Sequence, residues 1–90
     1  MKLGVVSGLK KEYESLESLG EIDGLFLRTS GANPERAEAL SVDLVQRGCE
    51  GLVSFGFAGG ISPKLNAGDL IIADQVIKID GEQIKTSEYW

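Results

Sequence analysis

KLGVVSGLKKEYESLESLG, residues 2–20, decides how the chain is read. KLGVVS, 2–7, suits a short buried strand, and Ser7-Gly8 makes the turn that follows it. Residues 9–19 then carry helical periodicity, and Gly20 is a natural stop. On a wheel of about 100° per residue, Leu9, Tyr13, Leu16 and Leu19 share one arc. Lys10, Lys11, Glu14, Ser15 and Ser18 fall outside it, and Glu17 lies at its margin. Glu12 breaks the pattern, because it falls inside the arc between Leu16 and Leu19. A buried strand running through a small-residue turn into an amphipathic helix is the opening unit of an α/β layer fold.

The rest of the chain repeats that unit. GLFLRTS, 24–30, reads as a second strand. SGANPERAEALSVDLVQRG, 30–48, carries strong helix punctuation: Asn33 as N-cap, Pro34 at the first helical position and Glu35 against the dipole. Ala37, Leu40, Leu44 and Val45 are its expected buried face, and Gly48 closes it. GLVSFGFAGG, 51–60, is an apolar strand ending in a glycine turn, and SPKLNAGD, 62–69, a loop. LIIADQVIKI, 70–79, is a long β-rich run. Asp80-Gly81 is a hairpin signal, with EQIKTS, 82–87, returning. The order β-α-β-α-β-loop-β-β predicts an α/β fold whose sheet is mainly parallel. The last strands have no covering helix, so an apolar face is expected to stay open. Residues 1–90 therefore read as the N-terminal portion of a larger domain, or as a chain needing a partner, with Tyr89 and Trp90 covering apolar surface.

Composition narrows the function. The 90 residues hold 42% hydrophobic and 26% charged side chains, ordinary for one folded soluble domain. Net charge is −5 and the nine Lys and Arg form no cluster, which argues against nucleic-acid binding. No apolar run is long enough to span a bilayer, and the N-terminus lacks the pattern of a secretory signal. A single cysteine, Cys49, makes no internal disulfide and is expected to pack. It fits a reducing, cytoplasmic location. Without histidine, zinc sites and His-based triads are excluded within this chain. Acid–base chemistry falls to Asp, Glu, Lys or Tyr.

Two features stand out. GFAGG, 56–60, sits where a parallel sheet binds ligands, at a strand's carboxyl end. Its glycines either let backbone amides approach a ligand or satisfy a turn needing positive φ. It completes neither the dinucleotide spacing nor a P-loop, so NAD and ATP have little support. Glu12 is the other feature. Burial against Leu16 and Leu19 would raise its pKa, and the first helical turn would lower it. It reads either as an acid–base group near neutral pH or as a cap that leans into solvent. Arg28, at a strand's carboxyl end, reads as an anion contact or a surface ion pair. Asp69 and Asp74 read as turn and edge residues.

MKLGVVSGLKKE, TSGANPERA and above all GLVSFGFAGGISPKLNAGDLIIADQVI together resemble the nucleoside phosphorylase and nucleosidase superfamily. The resemblance spans nearly all of the chain. It implies a three-layer α/β fold with a mixed sheet and flanking helices. Two subgroups look closest, the hopanoid-associated phosphorylases and the 5′-methylthioadenosine/S-adenosylhomocysteine nucleosidases. Phe57 stands where the latter carry a small polar residue. By resemblance, Glu12 matches the carboxylate that positions or activates the attacking water. Ala58 and Gly59 match backbone positions lining the ribose and nucleophile site, and Ser7 and Gly8 lie against the nucleophile.

The resemblance implies a small-molecule nucleoside substrate of the adenosine type, with water or phosphate as co-substrate and no cofactor. Family members that use phosphate place arginines where this chain has Glu12 and Ser54, which favours hydrolysis. A homo-oligomer or partner chain is expected to cover the open sheet. The family's Met-Glu segment and its base-protonating Asp lie beyond the matching stretch. The ninety residues alone are therefore expected to be inactive. The alternative is a non-catalytic α/β binding or assembly module.

Overall fold

The computed structural model describes residues 1–87. They divide into two units, Met1–Ala58 and a second beginning at Gly59. In the first, β1 (Leu3–Ser7), α1 (Lys10–Glu17), β2 (Leu25–Thr29), α2 (Pro34–Gln46) and β3 (Gly51–Phe55) alternate as expected. The strands form a parallel sheet in the order β2-β1-β3, so the first strand is central. Ser7 stands in register with Thr29 on one side and Phe55 on the other. All three strands therefore end at one level, and their outgoing loops meet at one edge of the sheet.

The core of this unit is small and centres on β1. Val5 is 6% exposed and Leu44, from α2, is fully buried. Gly4 explains how the helix comes so close. A Cβ at Gly4 would lie 2.8 Å from Leu44 Cδ1 and 3.0 Å from Leu52 Cδ2, so the absent side chain is the room α2 packs into. Cys49 is buried, and its amide donates to the Leu44 carbonyl just beyond the helix. The α2 punctuation matches the sequence. Asn33 Oδ1 accepts from the Arg36 amide at 3.0 Å, and Pro34 opens the helix.

Two expected faces are corrected. Val45 is 55% exposed, because α2 rests on the sheet through Leu44 and presents Val45 to the side. On α1, Leu9 and Leu19 are exposed, and the buried residue is Glu12. The helix is also shorter than 9–19. Leu19 and Gly20 belong to its closing turn, where Gly20 has a φ of +85°.

In the second unit, β4 (Gln75–Ile77) and β5 (Gln83–Lys85) form an antiparallel hairpin. Lys78 donates to Glu82 O and Gly81 to Lys78 O, which closes the expected turn at Asp80-Gly81. The expected strand over 70–79 is thereby cut to three residues. A strand exists only where a neighbour supplies ladder bonds. The turn takes residues 78 and 79, and residues 70–73 have no ladder partner among the described residues. Tyr89 and Trp90, expected to cover apolar surface, lie outside the described residues. No helix among the described residues is long and apolar enough to cross a membrane.

Candidate functional site

The site is built where the three parallel strands end. Loops leaving β1 and β2 are tied together by backbone and serine bonds. Ser30 donates from its amide to Ser7 O at 2.9 Å and from its hydroxyl to the same oxygen at 3.4 Å. The Ala32 amide donates to Gly8 O at 2.6 Å. Ala32 reaches that carbonyl with a φ of +59°, in the left-handed region that costs a residue with a Cβ energy. Ser7 and Ser30 are both buried. The TSGANP segment is thus a brace for the Ser7-Gly8 turn as well as a helix start.

Loops leaving β1 and β3 are tied by Glu12. Its position in the first turn of α1 lets it reach back, so the Leu9 amide donates to Oε1 at 2.8 Å, half of a capping box. Its other oxygen leaves the helix altogether. The Phe57 amide, 45 residues away in sequence, donates to Oε2 at 2.7 Å. Glu12 is 5% exposed, yet these amides settle its charge. The Phe57 and Leu9 amides hold the Glu12 carboxyl below its ordinary range, with a smaller pull from the Gly8 amide. Burial opposes them and loses.

That balance refines both sequence readings of Glu12. It does cap the helix, but it does not lean into solvent. Nor is it poised near neutral pH, because amide hydrogen bonds favour the ionised form more than burial disfavours it. What the geometry offers is a fixed, buried negative charge at the strand ends. A carboxylate has about four acceptor positions, so two amide bonds leave capacity for a further donor such as water. Such a group can orient a nucleophile and stabilise positive charge developing nearby.

The glycine run does not meet the expectation of a turn needing positive φ. Gly56, Gly59 and Gly60 all lie outside the left-handed region, so no positive φ requires them. A Cβ at Gly56 would lie 2.5 Å from Glu12 Oε2, and the space it leaves is filled by that carboxylate. Gly60 faces Leu65, and a Cβ at Gly59 would meet open space. Gly56 and the Phe57 amide, both within the GFAGG run, are thus tied to Glu12, a link that no local pattern encodes. The available signal was the pairing of one misplaced carboxylate with a glycine run at a neighbouring strand end.

Ser7, Gly8 and Glu12 are brought together at the end of β1. Ala58 follows Phe57 directly and is exposed. Gly59, also exposed, begins the second unit. Arg28 is not part of this cluster. Its guanidinium donates to Leu27 O of its own strand at 2.8 Å, and no ion pair to it is present among the described residues. Tyr13, on α1, lies beside Glu17, and that carboxylate raises the phenol's pKa. Asp69 accepts from the Asn66 amide at 2.8 Å and serves its loop, as expected of a turn residue.

Residues 3–86 match the family model described as the phosphorylase superfamily. No curated protein and no solved structure matches the chain.

Proposed function

Because the chain belongs to the phosphorylase superfamily, we propose that its first unit forms the nucleophile side of a site cleaving the N-glycosidic bond of an adenosine-type nucleoside. The observation that carries this reading is the buried Glu12 carboxylate, held ionised by the Phe57 and Leu9 amides at the carboxyl ends of parallel strands. In this reading Glu12 orients a water molecule toward C1′ of the ribose. As the C1′–N bond breaks and positive charge grows on the sugar, the fixed anion stabilises that charge. The forming O–C1′ bond makes the water strongly acidic, and Glu12 then takes its proton. Ser7, Gly8 and Ala58 of that unit supply backbone against the ribose and the nucleophile. Water is favoured over phosphate because the carboxylate would repel a phosphate anion.

Adenosylated hopanoid and 5′-methylthioadenosine are the two substrate types the sequence resemblance favours. Phe57, 69% exposed, offers an apolar ring next to the amide that holds Glu12, which suits an apolar 5′ group. The leaving base needs a proton, and the resemblance assigns that acid to no residue of this stretch. The ninety residues alone therefore bind the nucleoside without releasing its base. The test is titration of adenosine and 5′-methylthioadenosine into the labelled chain, followed by amide shifts and by chromatography for free adenine. Saturable shifts at Gly8, Phe57 and Ala58, weakened in Glu12→Gln, support the reading. Their absence at millimolar nucleoside overturns it, and adenine release by the chain overturns the claim of inactivity.

A further inference from the structure

We propose that Gly56 is the positioning residue of the Glu12 carboxylate: its missing Cβ is the space that lets Oε2 seat on the Phe57 amide. The catalytic meaning of this inference rests on the function proposed above, but its geometry stands independently.

Three observations carry it. First, the backbone at Gly56 is not left-handed, so glycine is not required there by conformation. Second, a Cβ at this position would lie 2.5 Å from Glu12 Oε2, 2.9 Å from its Cδ and 3.1 Å from Oε1. All three nearest atoms belong to one carboxylate, and none is backbone or core. Third, the neighbouring glycines do not share this relation, since Gly59 faces open space and Gly60 faces Leu65.

The consequence is specific. An alanine at 56 fits the backbone, and the group that must give way is the tip of a flexible side chain. Glu12 then swings off the Phe57 amide, which is adjacent to the intruding methyl. It keeps the Leu9 amide, which lies within its own helix turn. One methyl group would uncouple the carboxylate from β3 while leaving the helix cap in place. Position 56 therefore sets where the negative charge sits relative to the strand ends.

The experiment compares Gly56→Ala, Glu12→Ala and the double variant in the full ninety-residue chain by NMR and thermal unfolding. In Gly56→Ala the Glu12 carboxyl is expected to titrate closer to its ordinary value of 4.5. The Phe57 amide should lose its low-field shift and exchange faster, with the Leu9 amide unchanged. In the Glu12→Ala background, Gly56→Ala should leave the exchange of the Phe57 amide unchanged and should not lower the melting temperature, because nothing remains to collide with. An equal effect of Gly56→Ala in both backgrounds overturns the inference, as does an unchanged Glu12 titration. If Gly56→Ala fails to fold only when Glu12 is present, the inference stands; failure in both backgrounds overturns it. None of these measurements needs a nucleoside. A shifted Glu12 in a chain that binds no nucleoside would reject the proposed function and leave the role of Gly56 intact.

Discussion

Residues 3–7 and residues 70–79 are both apolar runs of strand-forming residues, and they end in opposite conditions. Val5, in the first, is 6% exposed between two parallel neighbours and beneath a helix that packs into the space at Gly4. In the second, Leu70 is 84% exposed and Ile79 109%, and among the described residues only Gln75–Ile77 has ladder pairs. Hydrophobicity is similar; the number of partners is not. Burial in an α/β fold depends on how many ladders and helices a strand recruits, and β1 alone recruits two of each kind.

The sharpest test of that contrast removes the contact that distinguishes the first unit. Leu44→Ala should destabilise it by about 2–5 kcal/mol, the range for deleting a fully buried leucine, because Leu44 is the side chain β1 packs against. Against a net stability on the order of 5–15 kcal/mol for a domain, this is a large loss. Denaturant titration followed by circular dichroism measures it. A cost comparable to that of a surface substitution would mean the core around β1 is not what holds the sheet.

Glu12 gives the next effect, and its sign follows from its charge. The folded chain holds its pKa below the ordinary 4.5, so between the two values the unfolded state binds more protons. Stability from this group is fully present above about pH 5 and is lost as pH falls through the folded value. Glu12→Gln should lower stability at pH 7 and flatten the decline as pH falls below about 5. Midpoints measured across that range in both proteins check it, and parallel curves would mean the amide bonds are not formed in solution.

Much of this was legible locally. The Asn33-Pro34-Glu35 start and the Gly20 and Gly48 stops needed only nearest-neighbour chemistry, and they appear where the sequence put them. Glu12 was legible as an anomaly, since a wheel shows a carboxylate on an apolar arc. Its resolution was not legible, because its second partner is an amide 45 residues away. The purpose of Gly56 was hidden for the same reason: no periodicity encodes a side chain arriving from another element. The length of β4 was overestimated because a pattern reports willingness to form a strand and not the presence of a neighbour. Leu9 and Leu19 show the converse, apolar residues on a predicted face that had nothing to cover them.

Local punctuation should carry a smaller energy than the core. Asn33 caps α2 through a single exposed bond to the Arg36 amide. Asn33→Ala should therefore cost about 1 kcal/mol, less than Leu44→Ala in the same helix. If the cap cost as much as the leucine, helix formation and not sheet packing would be limiting the first unit.

The smallest effect belongs to the second unit. Ile71 is 62% exposed and has no ladder partner among the described residues, so Ile71→Ser removes little buried area. Its cost should stay within about 0.5 kcal/mol, although Val5→Ser, at a buried position of β1, would be severe. Hydrogen exchange gives the same comparison backbone amide by backbone amide. Bonds opened by local fluctuation exchange quickly, and those opened only by global unfolding exchange slowly. The β1 amides should be slow and those of Gln75–Ile77 and Gln83–Lys85 fast, since a two-stranded hairpin by itself is marginally stable in water. Slow exchange across the hairpin, together with a large cost for Ile71→Ser, would mean that these apolar side chains find a partner in solution. The contrast between the two runs would then be one of which neighbour each has, and no longer of whether it has one.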